Sequence, residues 1–257
     1  MEINYHMTEN KYLESIFKEG LVPQQGIRSN LIGESKKAVF YSQGFEGVIA
    51  MFFMMIERFI EYCGSSGDIH IDAYNQFLKM AEAKQKQGKE ISQTLASAIE
   101  NEKRIVETVY KVRNASNWQE FLGDGVYLSI TNINEEDSNS ESTFYNSWTT
   151  SIISPENISV VILNNQITGE VLTSKYDIVN CFISKVPLEQ MQAILYDTAA
   201  KESKREKHLL WQIISKYYTE NRAYYESYFE NYDIIEIPIS SYLNKKENVN
   251  RGKWYYG

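Results

Sequence analysis

Two side chains with hydrogen-bonding chemistry stand close together near the N-terminus. His6 and Thr8 are two positions apart in the segment YHMTENKYLESIFKEGLVP. Here Ile3, Tyr5 and Met7 alternate with polar residues, which predicts a short strand. An imidazole N–H can donate a hydrogen bond to a ligand hydroxyl. A histidine on a strand is also often hydrogen-bonded within its own sheet, so the surroundings of His6 decide its role.

Two later segments place aromatic residues on predicted strands. The first is Ala38 to Ser42, with Phe40 and Tyr41 at its centre, and it runs into a helix predicted over 46–62. The second is GVYLS at 125–129, which contains Tyr127. Ordinary packing within a sheet explains either aromatic group equally well.

Two carboxylates in the second half of the chain are candidates for a site. Asp177 begins a predicted strand over 177–186, which leads to a helical segment over 188–195. Glu170 stands in the sequence TGEV, at the start of a short predicted strand over 170–173. Because the chain has 34 acidic residues, a carboxylate in this region is also expected by chance.

The order of these segments resembles the ADP-ribosyltransferase superfamily. The opening YHMTENKYLESIFKEGLVP is similar to its strand, histidine, hydroxyl residue and helix ending in Gly-Leu. Both 38–42 and 125–129 are similar to its strand of the type Gly-Ile/Val-Tyr-Phe-Ala/Ser. The resemblance covers residues 1–62 well and 123–195 loosely, and it includes poly(ADP-ribose) polymerases, DNA-modifying toxins and RNA 2′-phosphotransferases.

The resemblance implies NAD as a substrate and a role for each matching residue. His6 would bind the ribose 2′-hydroxyl and fix the sugar for attack at its anomeric carbon. Tyr41 or Tyr127, or Phe40 in its place, would pack on the nicotinamide ring. Asp177 or Glu170 would stabilise the oxocarbenium-like transition state. The implied contacts to NAD also include Thr8, Arg28 and Ser42.

The same resemblance leaves several functions open. The first is transfer of ADP-ribose from NAD to a protein or nucleic acid, as in a toxin, an effector or a defence protein. The second is a catalytically inactive module that binds NAD or another nucleotide, since Phe40 and Asp177 stand where Tyr and Glu are usual. The third is RNA 2′-phosphotransfer, which needs several arginines, and of these Arg28 is well placed.

The remaining elements predict an α+β fold with an ADP-ribosyltransferase-like mixed or antiparallel β core. The helix over 46–62 is apolar nearly all round, which is typical of a buried core helix. A polar helical hairpin over 69–114, broken near Gly88, forms an insertion. Thr8 is expected to cap the first helix, and Gly20 to end it in a left-handed conformation. Further predictions are strands over 126–130 and 158–163, a turn at 164–165, and helices over 144–148 and 201–232.

The predicted organisation is an ADP-ribosyltransferase-like domain over 1–200 and a C-terminal helical extension over 201–257 that packs on the core. A partner protein would meet the insertion or the aromatic C-terminal helices.

Composition excludes several other classes of protein. The net charge of −8 disfavours general nucleic-acid binding. The sequence has no Walker A loop, GxGxxG or GxSxG motif, which disfavours the nucleotide-binding and hydrolase classes that carry them. It also has no CxxC motif, and no metal is predicted. The lack of a signal sequence or a membrane-length apolar run predicts a cytoplasmic protein away from membranes, and secretion by a route that needs no signal sequence stays open.

Overall fold

The computed structural model describes residues 3–31, 36–133, 138–140, 147–178 and 231–250. They form a mixed α+β fold with antiparallel sheets, as the element pattern predicts. The strands are β1 (Asn4–Glu9), β2 (Val39–Tyr41), β3 (Gly125–Ile130), β4 (Ser138–Ser140), β5 (Ser147–Thr149), β6 (Ile158–Asn165), β7 (Val171–Leu172) and β8 (Tyr232–Pro238). The helices are α1 (Leu13–Glu19), α2 (Ile27–Leu31), α3 (Phe45–Cys63), α4 (Ser65–Lys86), α5 (Gln93–Asn114), α6 (Trp118–Leu122) and α7 (Ile239–Asn250).

The central sheet of the described chain has five strands, all paired antiparallel. β1 pairs with β3 over its whole length, with His6 opposite Leu128 and Thr8 opposite Val126. β3 continues to β6, and β6 pairs with both β7 and β8. β1 therefore stands at the side of this sheet away from β6, next to the second sheet.

The second sheet is small, and a β-bridge between Tyr5 and Ser42 joins it to the first. Its order is β2-β5-β4. The amide of Tyr5 donates to the carbonyl of Ser42 at 2.7 Å, and the amide of Ser42 donates back at 2.9 Å. This bridge brings the end of β2 against the start of β1, so that Phe40 and His6 become neighbours.

Alternation along the strands of the central sheet separates two apolar cores. Tyr5, Met7 and Tyr127 point to one side, where α3, α5 and α6 cover them. Val126 and Leu128 point to the other side, toward α1, β2 and the start of α7. The prediction of a buried core helix is confirmed by α3, because Ile49, Phe52, Ile56, Phe59 and Ile60 are all at most 1% exposed.

The polar hairpin predicted over 69–114 is confirmed as α4 and α5, which pack on each other and on α3. Gly88 has a φ of 68° in the turn between them. Ser92 caps α5 by accepting a hydrogen bond from the amide of Leu95. None of the helices in the described chain has an apolar stretch long enough to cross a membrane.

The structure corrects two predictions near the second sheet and β1. Thr8 does not cap a helix: it lies inside β1, because pairing with β3 continues to Glu9. The predicted helix over 144–148 is wrong at residues 147 and 148, which belong to β5 and pair with β2. Residues 144–146 lie outside the described chain.

Two further corrections concern the second half of the chain. Residues 175–178 are helical, and do not begin the strand predicted from Asp177. Tyr232 begins β8 instead of ending a helix, because β8 pairs with β6 from Tyr232 to Pro238. Asn164 and Asn165 end β6, so the turn follows them. The predicted elements over 179–195 and 201–230, and the domain boundary at 200, lie outside the described residues.

Candidate functional site

A cleft of about 230 Å³ opens beside β1, between α1, the segment that follows α1, β2 and α3. Its walls combine a polar strand edge with an apolar floor supplied by α3. The lining residues that bear on its chemistry are His6, Met7, Thr8, Glu9, Tyr12, Ser15, Glu19, Gly20, Gln24, Ser29, Phe40, Val48, Met51 and Met55. No described residue of the lining is a lysine or an arginine.

His6 joins the two sheets at the cleft. Its Nδ1 lies 2.7 Å from the carbonyl oxygen of Phe40. A carbonyl oxygen only accepts, so Nδ1 carries the hydrogen and donates. In the neutral ring, Nε2 is then an acceptor. The structure therefore changes the expected chemistry: the neutral ring can only accept a hydrogen bond at Nε2, and only the protonated ring donates one there.

Thr8 and Phe40 lie on the same cleft as His6. Thr8 follows His6 on the same face of β1, since side chains two positions apart point the same way. It is 5% exposed. Phe40 is the half-buried residue of β2, between the buried Val39 and Tyr41. Two of the predicted binding segments thus meet at one place.

The backbone of β1 adds a further polar group to the cleft. Peptide groups of alternate residues on an antiparallel strand point to the same edge. The peptide groups of Tyr5 pair with Ser42, on the edge away from β3. Those of Met7 are directed to that same edge, and Met7 lines the cleft. The backbone N–H and C=O groups of Met7 therefore lie at this edge, beside the His6 and Thr8 side chains.

Three predicted aromatic or hydroxyl residues do not line the cleft. Tyr41 is 4% exposed and belongs to the core that contains Leu128. Ser42 is 2% exposed, and its hydroxyl has no hydrogen-bond partner among the described residues. Tyr127 is 1% exposed, packs edge-on against Phe45 at 5.2 Å, and lies on the α3 side of the sheet. Burial raises the pKa of the Tyr127 phenol, so this hydroxyl stays neutral.

The two predicted carboxylates have other contacts. The Asp177 carboxylate accepts hydrogen bonds from the amides of Thr173 and Ser174, at 3.2 and 3.0 Å. The Ser174 hydroxyl in turn accepts from the amide of Asp177, which is a capping box for the 175–178 turn. Glu170 accepts a hydrogen bond of 2.8 Å from the hydroxyl of Tyr232, next to β7 and β8. Neither residue lines the cleft.

Arg28 lies in α2, between Ile27 and Ser29, and both of these neighbours line the cleft. The side chain of Arg28 is outside the described part of the chain. Its predicted contact with a phosphate therefore stays a prediction.

Several lining residues were not predicted as site residues. Glu9 and Glu19 are acidic residues of the lining, Tyr12 adds a residue that is 46% exposed, and Met51 and Met55 close the floor. The α3 methionines carry no sequence signal, since that helix is apolar on all sides. Glu19 had one sequence signal, because it directly precedes Gly20, the residue predicted to end the first helix.

The described residues contain no group of three or more His, Cys, Asp or Glu arranged to hold a metal ion. The lining of the cleft includes hydrogen-bonding, aromatic and acidic residues. No family model, curated protein or solved structure matches this chain, so its cleft is interpreted from its own residues.

Proposed function

We propose that this chain binds NAD in the cleft beside β1 and transfers ADP-ribose to a macromolecular acceptor. The observation that carries the proposal is the convergence of His6, Thr8 and Phe40 on one cleft. They come from segments that resemble the first two elements of ADP-ribosyltransferases. The order of the strands along the chain does not by itself bring Phe40 of β2 beside His6 and Thr8 of β1.

Each group in the cleft has a matching group on the nicotinamide riboside half of NAD. Nε2 of a neutral His6 accepts the hydrogen of a ribose hydroxyl, and the Thr8 hydroxyl can donate or accept. The ring of Phe40 offers a face to the nicotinamide ring. The edge of β1 at Met7 offers an amide to the nicotinamide carboxamide. Together these contacts fix the sugar relative to its leaving group.

The size of the cleft supports binding of one half of NAD rather than the whole dinucleotide. Clefts that enclose drug-sized ligands measure roughly 300–1,000 Å³. The volume of about 230 Å³ is smaller than that. The pyrophosphate and adenosine would then extend past the mouth of the cleft.

In the proposed reaction, the bond between ribose C1′ and the nicotinamide nitrogen breaks, and its electron pair leaves with neutral nicotinamide. A nucleophile of the acceptor then forms a bond to C1′ and loses its proton to solvent or to a base. Positioning by His6 and Thr8 lowers the entropic part of this barrier.

A second candidate function is an inactive module that binds a nucleotide without cleaving it. One observation favours it: Asp177 and Glu170, the carboxylates expected to assist catalysis, make structural hydrogen bonds elsewhere. RNA 2′-phosphotransfer needs several arginines, and the side chain of Arg28, the one placed well by the sequence, lies outside the described part of the chain.

The test is release of nicotinamide from NAD by the purified protein, with cell lysate as a source of acceptors. His6→Ala is the test variant. His70→Ala is its matched control, since His70 lies in α4 and pairs with Glu102 at 2.9 Å, outside the cleft. We expect release by the wild type and the control, and loss in His6→Ala.

Thermal denaturation with and without NAD separates the two candidates. Stabilisation of the wild type by NAD, absent in His6→Ala and without any nicotinamide release, would support the binding module. If NAD does not stabilise the wild type and no nicotinamide is released from it, both the transferase and an NAD-binding module are wrong, and only a module for another nucleotide is left.

A further inference from the structure

The cleft beside β1 has an unusual charge for a site proposed to bind a phosphorylated ligand. Its described lining includes two acidic residues, Glu9 and Glu19, and no lysine or arginine. Negative groups disfavour phosphates and favour positive charge. The nicotinamide ring of NAD is itself cationic, and so is the ribosyl group as nicotinamide leaves.

Of these two carboxylates, Glu9 is already paired. Its Oε2 lies 2.7 Å from Nζ of Lys11, and the Glu9 side chain is 14% exposed. This hydrogen bond is the main reason that the pKa of Lys11 is raised. The charge of Glu9 is therefore largely offset before any ligand binds.

Glu19 is different, because no hydrogen bond or ion pair joins its side chain to another described residue. It is exposed and occupies the last turn of α1, directly before Gly20, and both residues line the cleft. The carbonyl end of a helix repels a carboxylate and attracts a cation. Local helix stability therefore gives no reason for a glutamate at this position.

We propose that Glu19 faces the cationic nicotinamide ribosyl group of bound NAD and supplies the negative charge that Asp177 and Glu170 do not bring to the cleft. This rests on the proposed function. In the bound state Glu19 favours oxidised NAD over NADH, whose dihydronicotinamide ring is neutral. As the C1′–N bond breaks, the same carboxylate stabilises the positive charge that develops on the ribose.

The test compares Glu19→Gln with Glu14→Gln. Both residues are exposed and lie on α1, but Glu14 does not line the cleft, so it controls for the loss of one negative charge. Calorimetric titration measures the dissociation constants of NAD and NADH, and nicotinamide release measures turnover. Melting temperatures verify that both variants fold.

We expect Glu19→Gln to reduce the preference for NAD over NADH by about 2–5-fold, which corresponds to an exposed charge pair. Turnover should fall by about 10–100-fold, less than for a fully enclosed electrostatic group. Glu14→Gln should leave both quantities unchanged.

The outcomes separate this inference from the proposed function. If the wild type binds neither dinucleotide, the proposed function fails, and the role of Glu19 fails with it. If the wild type prefers NAD and Glu19→Gln keeps the same preference and turnover, only the role of Glu19 is overturned. A reduced preference in Glu19→Gln, even where no turnover occurs in any variant, supports Glu19 as the residue that recognises the cationic ring.

Discussion

Gly20→Ala tests how the cleft is built, because Gly20 forms one of its walls and cannot carry a side chain. Gly20 has φ 79° and ψ −171°, a conformation that is essentially restricted to glycine. A Cβ at this position would lie 2.1 Å from the carbonyl oxygen of Ile153. That oxygen accepts a hydrogen bond of 2.9 Å from the amide of Leu21, so it cannot retreat without breaking the bridge.

The expected loss of stability combines two effects. Backbone strain costs about 1–3 kcal/mol. The steric overlap with Ile153 costs about 1–3 kcal/mol more. The free energy of unfolding should therefore fall by about 2–6 kcal/mol, which lowers the melting temperature by roughly 5–20 °C for a chain of this size. Stabilisation by NAD should also be lost, since the wall of the cleft moves.

Two other glycines separate these effects in the same denaturation assay. Gly26 also lines the cleft but has open space and no positive φ, so Gly26→Ala should change stability by less than about 0.5 kcal/mol. Gly88 has φ 68° and open space, so Gly88→Ala should show strain alone, about 1–2 kcal/mol. If Gly20→Ala costs no more than Gly88→Ala, the close approach of Ile153 to α1 is wrong.

Three further predictions concern residues around the sheet and the rim of the cleft. Tyr127→Phe removes a buried hydroxyl that has no hydrogen-bond partner among the described residues, so unfolding free energy should stay equal or rise by about 1 kcal/mol, with NAD binding unchanged. A marked loss of NAD binding at full stability would return Tyr127 to the site. Asp177→Ala removes the cap of the 175–178 turn and should lower stability by about 1 kcal/mol in urea denaturation without affecting nicotinamide release; reduced release from the folded variant would contradict a purely structural role. The pKa of Lys11 is raised above its ordinary value of 10.5 by its hydrogen bond to Glu9, so the small stabilisation from this pair is complete below that value and disappears as pH rises through the raised pKa. An NMR titration of the Lys11 ammonium should show the raised pKa in the wild type and its return toward 10.5 in Glu9→Gln; equal values in both proteins would exclude the pair in solution.

Local patterns in the sequence predicted the elements that depend on near neighbours. The all-round apolar helix at α3, the polar hairpin of α4 and α5, and the positive φ at Gly20 follow from side-chain periodicity and glycine chemistry. Predictions failed where distant pairing overrode local preference. β5 is a strand because β2 pairs with it, and β8 is a strand because it pairs with the whole of β6.

The residues of the candidate site were also predictable only where local patterns decide their position. His6 and Thr8 could be found because a single strand repeats every two residues, which puts them on one face. Asp177 could not be excluded from sequence, because any of 34 acidic residues can stand near a predicted strand. Its capping hydrogen bonds depend on the turn at 175–178, which the apolar run after Asp177 conceals.

The sequence by itself determined the α+β class, the strand with His6 and Thr8, and the helix that ends at Gly20. Only the tertiary structure decided that Phe40 meets His6, that Tyr41 and Tyr127 are buried in the cores, and that Glu19 reaches the cleft. The physical reason is that periodicity fixes which residues share a face of one element. Which faces meet depends on long-range contacts, here the bridge between Tyr5 and Ser42 and the packing of α3 against β1.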